Sequence, residues 1–235
     1  MKLFISSVFI LASVSFASAQ DCQNFWYLTN DAQAEVTVYD ANGNENGKQE
    51  WKVDDVKRDG TGWMATIKTK FTDKKGRDGS KTKGIYRCDA AVLRADILMS
   101  LPQDQMQAYK NMNVKANEGY IDYPVNLSPG QSLSDANYKM ETYNNGTLAA
   151  TITFKESNRK VGSKESVTTS AGTWNAFKIT YDSQFKTEIG NTGRAIPMNF
   201  KVTEWFAPGF GVVKSETYAR NGKLLGSTQL TSLKK

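Results

Sequence analysis

Trp63-Met64-Ala65-Thr66-Ile67-Lys68-Thr69-Lys70-Phe71-Thr72 is the stretch that decides the fold class. Trp63, Ala65, Ile67 and Phe71 alternate with Met64, Thr66, Lys68 and Lys70. A period of two with one apolar face describes a half-buried antiparallel strand. The same pattern returns at residues 147–155, where Leu148, Ala150, Ile152 and Phe154 alternate with threonines and a lysine. It returns again where Phe177, Ile179 and Tyr181 alternate with Lys178, Thr180 and Asp182.

Turn chemistry separates these runs. Asn42-Gly43, Asn46-Gly47, Asn145-Gly146 and Asn221-Gly222 are hairpin signals, because both residue types accept positive φ. Asp73 to Lys83, dense in Lys, Gly and Asp, reads as a solvated hairpin tip. One short helix is expected mid-chain, from Pro102 or Asp104 to Met112, with Leu101, Met106, Tyr109 and Met112 toward one face. The chain is therefore expected to be all-β with that single helix. Residues 20–235 form one domain of two lobes, approximately 20–100 and 115–235. Gly60-Thr61-Gly62-Trp63 and Gly172-Thr173-Trp174 echo each other weakly across the lobes.

Residues 1–19 carry the marks of a secretory signal peptide. Lys2 is followed by a mostly apolar run from Leu3 to Phe16, and Ala17-Ser18-Ala19 supplies a small-x-small cleavage pattern before Gln20. Gln20 and Asp21 before Cys22 do not fit a lipid-attachment site. No later segment has the roughly 20 apolar residues of a membrane-spanning helix, so no transmembrane segment is expected in the mature chain. The expected location is periplasmic or secreted.

Thirty Lys and Arg oppose 24 Asp and Glu, a net charge of +6 spread along the chain. No basic stripe interleaved with aromatics points to nucleic acid, and none is expected as a partner. Two cysteines, Cys22 and Cys88, in an oxidising compartment suggest one disulfide, with a pair of free thiols as the alternative. Histidine is absent. That removes Ser-His-Asp and Cys-His nucleophiles, histidine acid–base chemistry and histidine-ligated zinc.

The remaining constellations are weak. Asp40-Ala41-Asn42-Gly43-Asn44 starts like a calcium loop, but Glu45 and Trp51 stand where that loop needs Gly and Glu. A polar hairpin tip is the better reading, and no metal or cofactor is expected. Glu204 lies on the apolar face of Phe200, Val202 and Phe206, and Glu216 recurs on the next strand. A raised-pKa acid and its partner would look like this. The structural alternative has Glu204 turned to solvent by a bulge near Trp205, or paired with an arginine or lysine on a neighbouring strand. No catalytic residue is assigned. Trp63, Trp174, Trp205 and Glu204 are the candidate ligand contacts.

A resemblance adds to this. The segments Asn158-Arg159-Lys160-Val161, Thr168-Thr169-Ser170-Ala171-Gly172-Thr173-Trp174 and Glu204-Trp205-Phe206-Ala207-Pro208-Gly209-Phe210-Gly211-Val212-Val213-Lys214 resemble signatures of the TapB-like family of exported bacterial domains. Tyr86-Arg87-Cys88-Asp89, Pro124 to Leu133 and Asn221 to Thr231 also fit. Ser170 departs from a usual proline. Asn175-Ala176 replaces a frequent cysteine, which by this resemblance favours Cys22 as the partner of Cys88. The resemblance implies an envelope or secreted location and a curved antiparallel sheet resembling an open or half-closed barrel. It carries over no catalytic residue. The expected role is a non-catalytic binding or carrier module for an apolar small molecule or lipid. The alternative is a structural component of the envelope with a protein partner, and a carboxylate hydrolase using Glu204 and Glu216 comes third.

Overall fold

The computed structural model describes Cys22, residues 25–101 and residues 112–235. The signal segment and nearly all of the expected helix lie outside the described residues. Among those described, strands account for the architecture, and the helical turns are two short 3-10 turns, Trp26–Leu28 and Ile97–Met99.

Thirteen strands form one antiparallel sheet: β1 (Gln33–Asp40), β2 (Glu45–Asp59), β3 (Gly62–Asp73), β4 (Asp78–Asp89), β5 (Val92–Asp96), β6 (Asn113–Ala116), β7 (Tyr120–Pro124), β8 (Ala136–Asn144), β9 (Thr147–Thr169), β10 (Gly172–Ile189), β11 (Ala195–Ala207), β12 (Gly211–Ala219) and β13 (Leu224–Lys234). Their order is β6-β8-β9-β10-β11-β12-β13-β1-β2-β3-β4-β5-β7. Pairing of β13 with β1 joins the early and late halves of the chain into one sheet.

The alternation that identified β3 sorts its residues as expected. Ala65 and Ile67 are fully buried and Thr69 and Phe71 nearly so, while Lys68 points to solvent. Such one-sided burial makes the sheet curl round its own apolar face. The curl is tight enough for β7, at one edge, to meet strands in the middle of the sheet. Tyr123 on β7 stacks on Phe206 of β11 with ring centres 4.6 Å apart. The result is a half-barrel with a filled interior.

Three of the four hairpin signals lie in turns. Asn145 and Gly146, with φ of 47° and 80°, make the two-residue link between β8 and β9. Gly43 and Gly222 sit in the β1–β2 and β12–β13 turns. Asn46-Gly47 instead lies inside β2. A Cβ at Gly47 would stand 2.6 Å from both the Phe71 ring and the Thr72 carbonyl oxygen, so glycine serves close strand approach there. The expected tip at Asp73–Lys83 is also shorter than its composition suggested. β4 begins at Asp78, and Lys81 and Lys83 belong to a strand.

Candidate functional site

The centre of the half-barrel holds a charged cluster that a period-two reading could not assemble. Glu156 and Arg159 are three apart on β9, which ordinarily places them on opposite faces. Lys160 pairs with Thr180, and Ser157 pairs with Asp182. Asn158 and Arg159 therefore stand opposite Tyr181 alone, a bulge with Asn158 at φ 57°. The extra residue turns both Glu156 and Arg159 inward, and each is 1% exposed.

Arg159 acts as a tie. Its Nη1 donates to the carbonyls of Asp122 and Ser134, both at 3.1 Å, fastening β7 and the following connection to β9. Its guanidinium lies over the Tyr123 ring, 5.0 Å from the centre. Nε approaches Glu156 Oε2 at 3.3 Å, an ion contact without hydrogen-bond alignment. Glu204, 4% exposed, completes the cluster and accepts from the Tyr181 hydroxyl at 3.3 Å.

One guanidinium faces two carboxyls here. Burial, followed by the neighbouring Glu204, pushes the Glu156 carboxyl up to about 8. Burial also raises Glu204, against the opposing pull of Arg159, Tyr123 and Tyr181. The pair thus keeps a proton at neutral pH, which leaves the cluster close to electrically balanced. Folding binds a proton that the unfolded chain releases above its ordinary value of 4.5. Stability should fall as pH rises between about 4.5 and about 8, then level off. Urea unfolding across that window tests this, with Glu156→Gln flattening the wild-type slope. Parallel curves for the two proteins would exclude Glu156 as the proton carrier.

Glu204 and Glu216 do not form a pair. Glu216 sits opposite Thr203, while Glu204 sits opposite Ser215, so the two carboxylates occupy opposite faces of the sheet. Lys214 Nζ lies 2.7 Å from Glu216, which also accepts from the Tyr218 hydroxyl. A bulge does follow Trp205, but it leaves Glu204 inside.

The tryptophan candidates do not converge either. Trp63 is half-buried at the start of β3, with Arg58 4.2 Å from its ring centre. Trp205 lies on the face opposite Glu204, between Lys178 and Lys214, and donates to Glu165. Trp174 donates to Thr169 Oγ1 at 3.3 Å and rests on Phe210 at 4.9 Å. Phe210 also touches Trp26 and Tyr27, and Tyr27 touches Trp51 and Tyr86. These rings, at centre distances of 4.9 to 6.3 Å, fill one end of the half-barrel. The Gly172 and Gly209 turns meet at this plug, as Trp26 N–H donates to the Gly209 carbonyl at 3.0 Å. Cys22 and Cys88 form a disulfide beside it. The calcium-like stretch is a capped turn: Asp40 Oδ1 accepts from the backbone N–H groups of Asn42 and Asn44.

Space for a ligand lies on the outside. A cleft of about 510 Å³ runs across β13, β1, β2, β3 and β4, and six lysines are among the residues lining it: Lys52, Lys68, Lys70, Lys81, Lys83 and Lys234. A second, of about 520 Å³, includes Lys155, Asp182, Asn199, Lys201 and Arg220.

Residues 30–230 match the DUF3108-like family profile. The chain belongs to the DUF3108-like family. That match spans β1 to β12 entirely and most of β13, and so includes the Arg159 cluster, the second cleft and all of the first except Ser232 and Lys234. Among solved structures, the fold of this family member is similar to that of a Bacteroides fragilis protein with a YmcC-like fold, described as exported. The two share 18% identity at a TM-score of 0.72, over 90% of this chain and 99% of that one. It is also similar to a Parabacteroides distasonis protein described as a lipoprotein. Here identity is 24% and the TM-score 0.74, over 92% of this chain and all of that one. No curated protein matches the sequence.

Proposed function

We propose that this DUF3108-like chain is an exported, non-catalytic binding module of the cell envelope, and that it takes its ligand on the outer face of the half-barrel. The leader pattern at residues 1–19 and the Cys22–Cys88 disulfide support export. So do the descriptions of the two similar solved proteins as exported and as a lipoprotein. The narrower TapB-like resemblance belongs to this proposal as well, resting on the motif segments around Arg159, Gly172 and Gly209.

The observation that carries the reading is where volume lies. Ligand pockets usually begin near 300 Å³. The 510 Å³ cleft exceeds that on the outside, whereas the interior aromatics rest on one another. An apolar carrier would need those rings to part. Glu204, the inward candidate, is instead taken up by the Arg159 cluster, where it accepts from Tyr181. An envelope interaction protein is the second reading, favoured by edge strand β6, whose four residues are all exposed.

Native mass spectrometry tests the choice. The protein is isolated from its own envelope without detergent and washed at high salt, which strips charge-held ligands. The bare polypeptide mass, two hydrogens light for the disulfide, is the expected result. A reproducible lipid-sized addition that survives the salt and leaves on denaturation would overturn the outer-face reading in favour of an interior carrier.

A further inference from the structure

Lysine placement on the outer face is unusual for a sheet. Lys52 sits directly opposite Lys68, Lys68 opposite Lys83, and Lys70 opposite Lys81. Like charges directly opposite one another weaken strand pairing. Gln33 links this array to Lys234, giving a row Lys234–Gln33–Lys52–Lys68–Lys83 across β13, β1, β2, β3 and β4. Adjacent strands lie about 4.8 Å apart, so the row extends roughly 19 Å.

Neighbouring carboxylates answer only part of this charge. Lys68 pairs with Asp54 at 2.8 Å, Lys70 with Asp78 at 2.8 Å and Lys52 with Asp31 at 3.5 Å. Among the described residues, Lys81, Lys83 and Lys234 have no carboxylate within 4.0 Å. On β4, Lys83 of this row and Lys81 of the next therefore stand beside the cleft without a direct ion pair, and Asp54 and Asp78, already paired to Lys68 and Lys70, reach them only at longer range.

We infer that this cleft is a binding site for an acidic polysaccharide chain laid across β13, β1, β2, β3 and β4. The inference rests on the outer-face reading and names its ligand class. Lysines supply point charges suited to spaced carboxylates or phosphates. Glu35, Glu50, Gln33 and Ser232 stand among them in the same cleft, as acceptors for sugar hydroxyls. The exposed large apolar residues, Val114, Ile189, Ile196 and Leu225, belong to other parts of the surface and offer a bilayer no anchor here. Single-stranded nucleic acid would want aromatics on this face for base stacking. The outward positions of the row are lysines and a glutamine instead, and Trp51, which also lines the cleft, has its ring turned inward against Tyr27 and Tyr86.

The test uses the mature protein and polygalacturonate oligomers, followed by calorimetry at low and at physiological salt. Neutral dextran and anionic phosphatidylglycerol vesicles serve as comparators. Wild type should bind the acidic oligomer, with affinity falling as salt rises, and should ignore dextran. Lys81→Glu/Lys83→Glu should weaken binding roughly tenfold or more. The new carboxylates face Lys70 and Lys68, so the variant should fold at least as stably, as far-UV circular dichroism and urea unfolding will report. Absent binding, binding unchanged in the variant, or preference for the vesicles would overturn the inference.

Hydrogen exchange in envelope extract separates the two possible failures. Protection over β2–β4 that persists in the double variant rejects the acidic chain but keeps the outer-face module. No protection over either cleft rejects both.

Discussion

Replacing Arg159 by methionine should lower the unfolding free energy by about 3–5 kcal/mol, the usual cost of breaking a buried ion pair from one side. Glu156 and Glu204 would be left buried without their cation, and the carbonyls of Asp122 and Ser134 would lose their shared donor. The loss should also be local in its signature. β7 is held to β9 through that guanidinium, so exchange protection at Ile121 and Tyr123 should fall before that of β3. Removing the charges together separates the causes. In Arg159→Met/Glu156→Gln/Glu204→Gln no buried charge is stranded, and much of the lost stability should return, because apolar or neutral replacements of a whole buried pair are often tolerated. Urea unfolding of the two variants beside wild type decides it. A loss of under about 1 kcal/mol for Arg159→Met would mean that the contact behaves like a solvated surface pair.

How much of this was legible in the sequence depends on which parts obey a local rule. The β3 alternation placed Ala65, Ile67 and Phe71 inside without any tertiary information, because side-chain period alone decides it. Asn145-Gly146 announced its turn for the same reason. Glu204 was also visible, as a carboxylate out of place on an apolar face. Its partners were not. The residues that meet it come from β7, β9 and β10, and Arg159 turns inward only because one extra residue is inserted opposite Tyr181. Nothing in Ser157-Asn158-Arg159 declares a bulge except an asparagine tolerant of positive φ. Glu216 misled for the opposite reason. Recurrence on the next strand says nothing about which face a residue takes until the register is known, and Glu216 is set against Thr203. The lysine rows were hidden likewise. Lys68 and Lys70 read as the solvent face of one strand, and Lys81 and Lys83 as a loop tip, until β4 was found to bring them side by side.

Removal of the disulfide is the second large effect. Cys22→Ala/Cys88→Ala should cost about 4 kcal/mol, from the freedom regained by the unfolded chain across a separation of 66 residues. The folded state should change much less. Phe25, Tyr27, Leu28 and Ala32 are all buried, and this segment is also held by Trp26 N–H to the Gly209 carbonyl and by Val53 N–H to the Ala32 carbonyl, at 3.0 and 2.9 Å. The near-UV circular dichroism of the Trp26, Tyr27 and Phe210 plug should therefore persist at low temperature while the urea midpoint falls. Alanine at Cys88 leaves no unsatisfied polar atom in a fully buried position, so the comparison isolates the cross-link. A collapsed near-UV signal in the folded variant would show the bond acting as a native-state clamp on the plug. The unfolded chain would then no longer be where the stability difference arises. Unchanged stability would mean that the first strands already confine Cys22 before the bond forms.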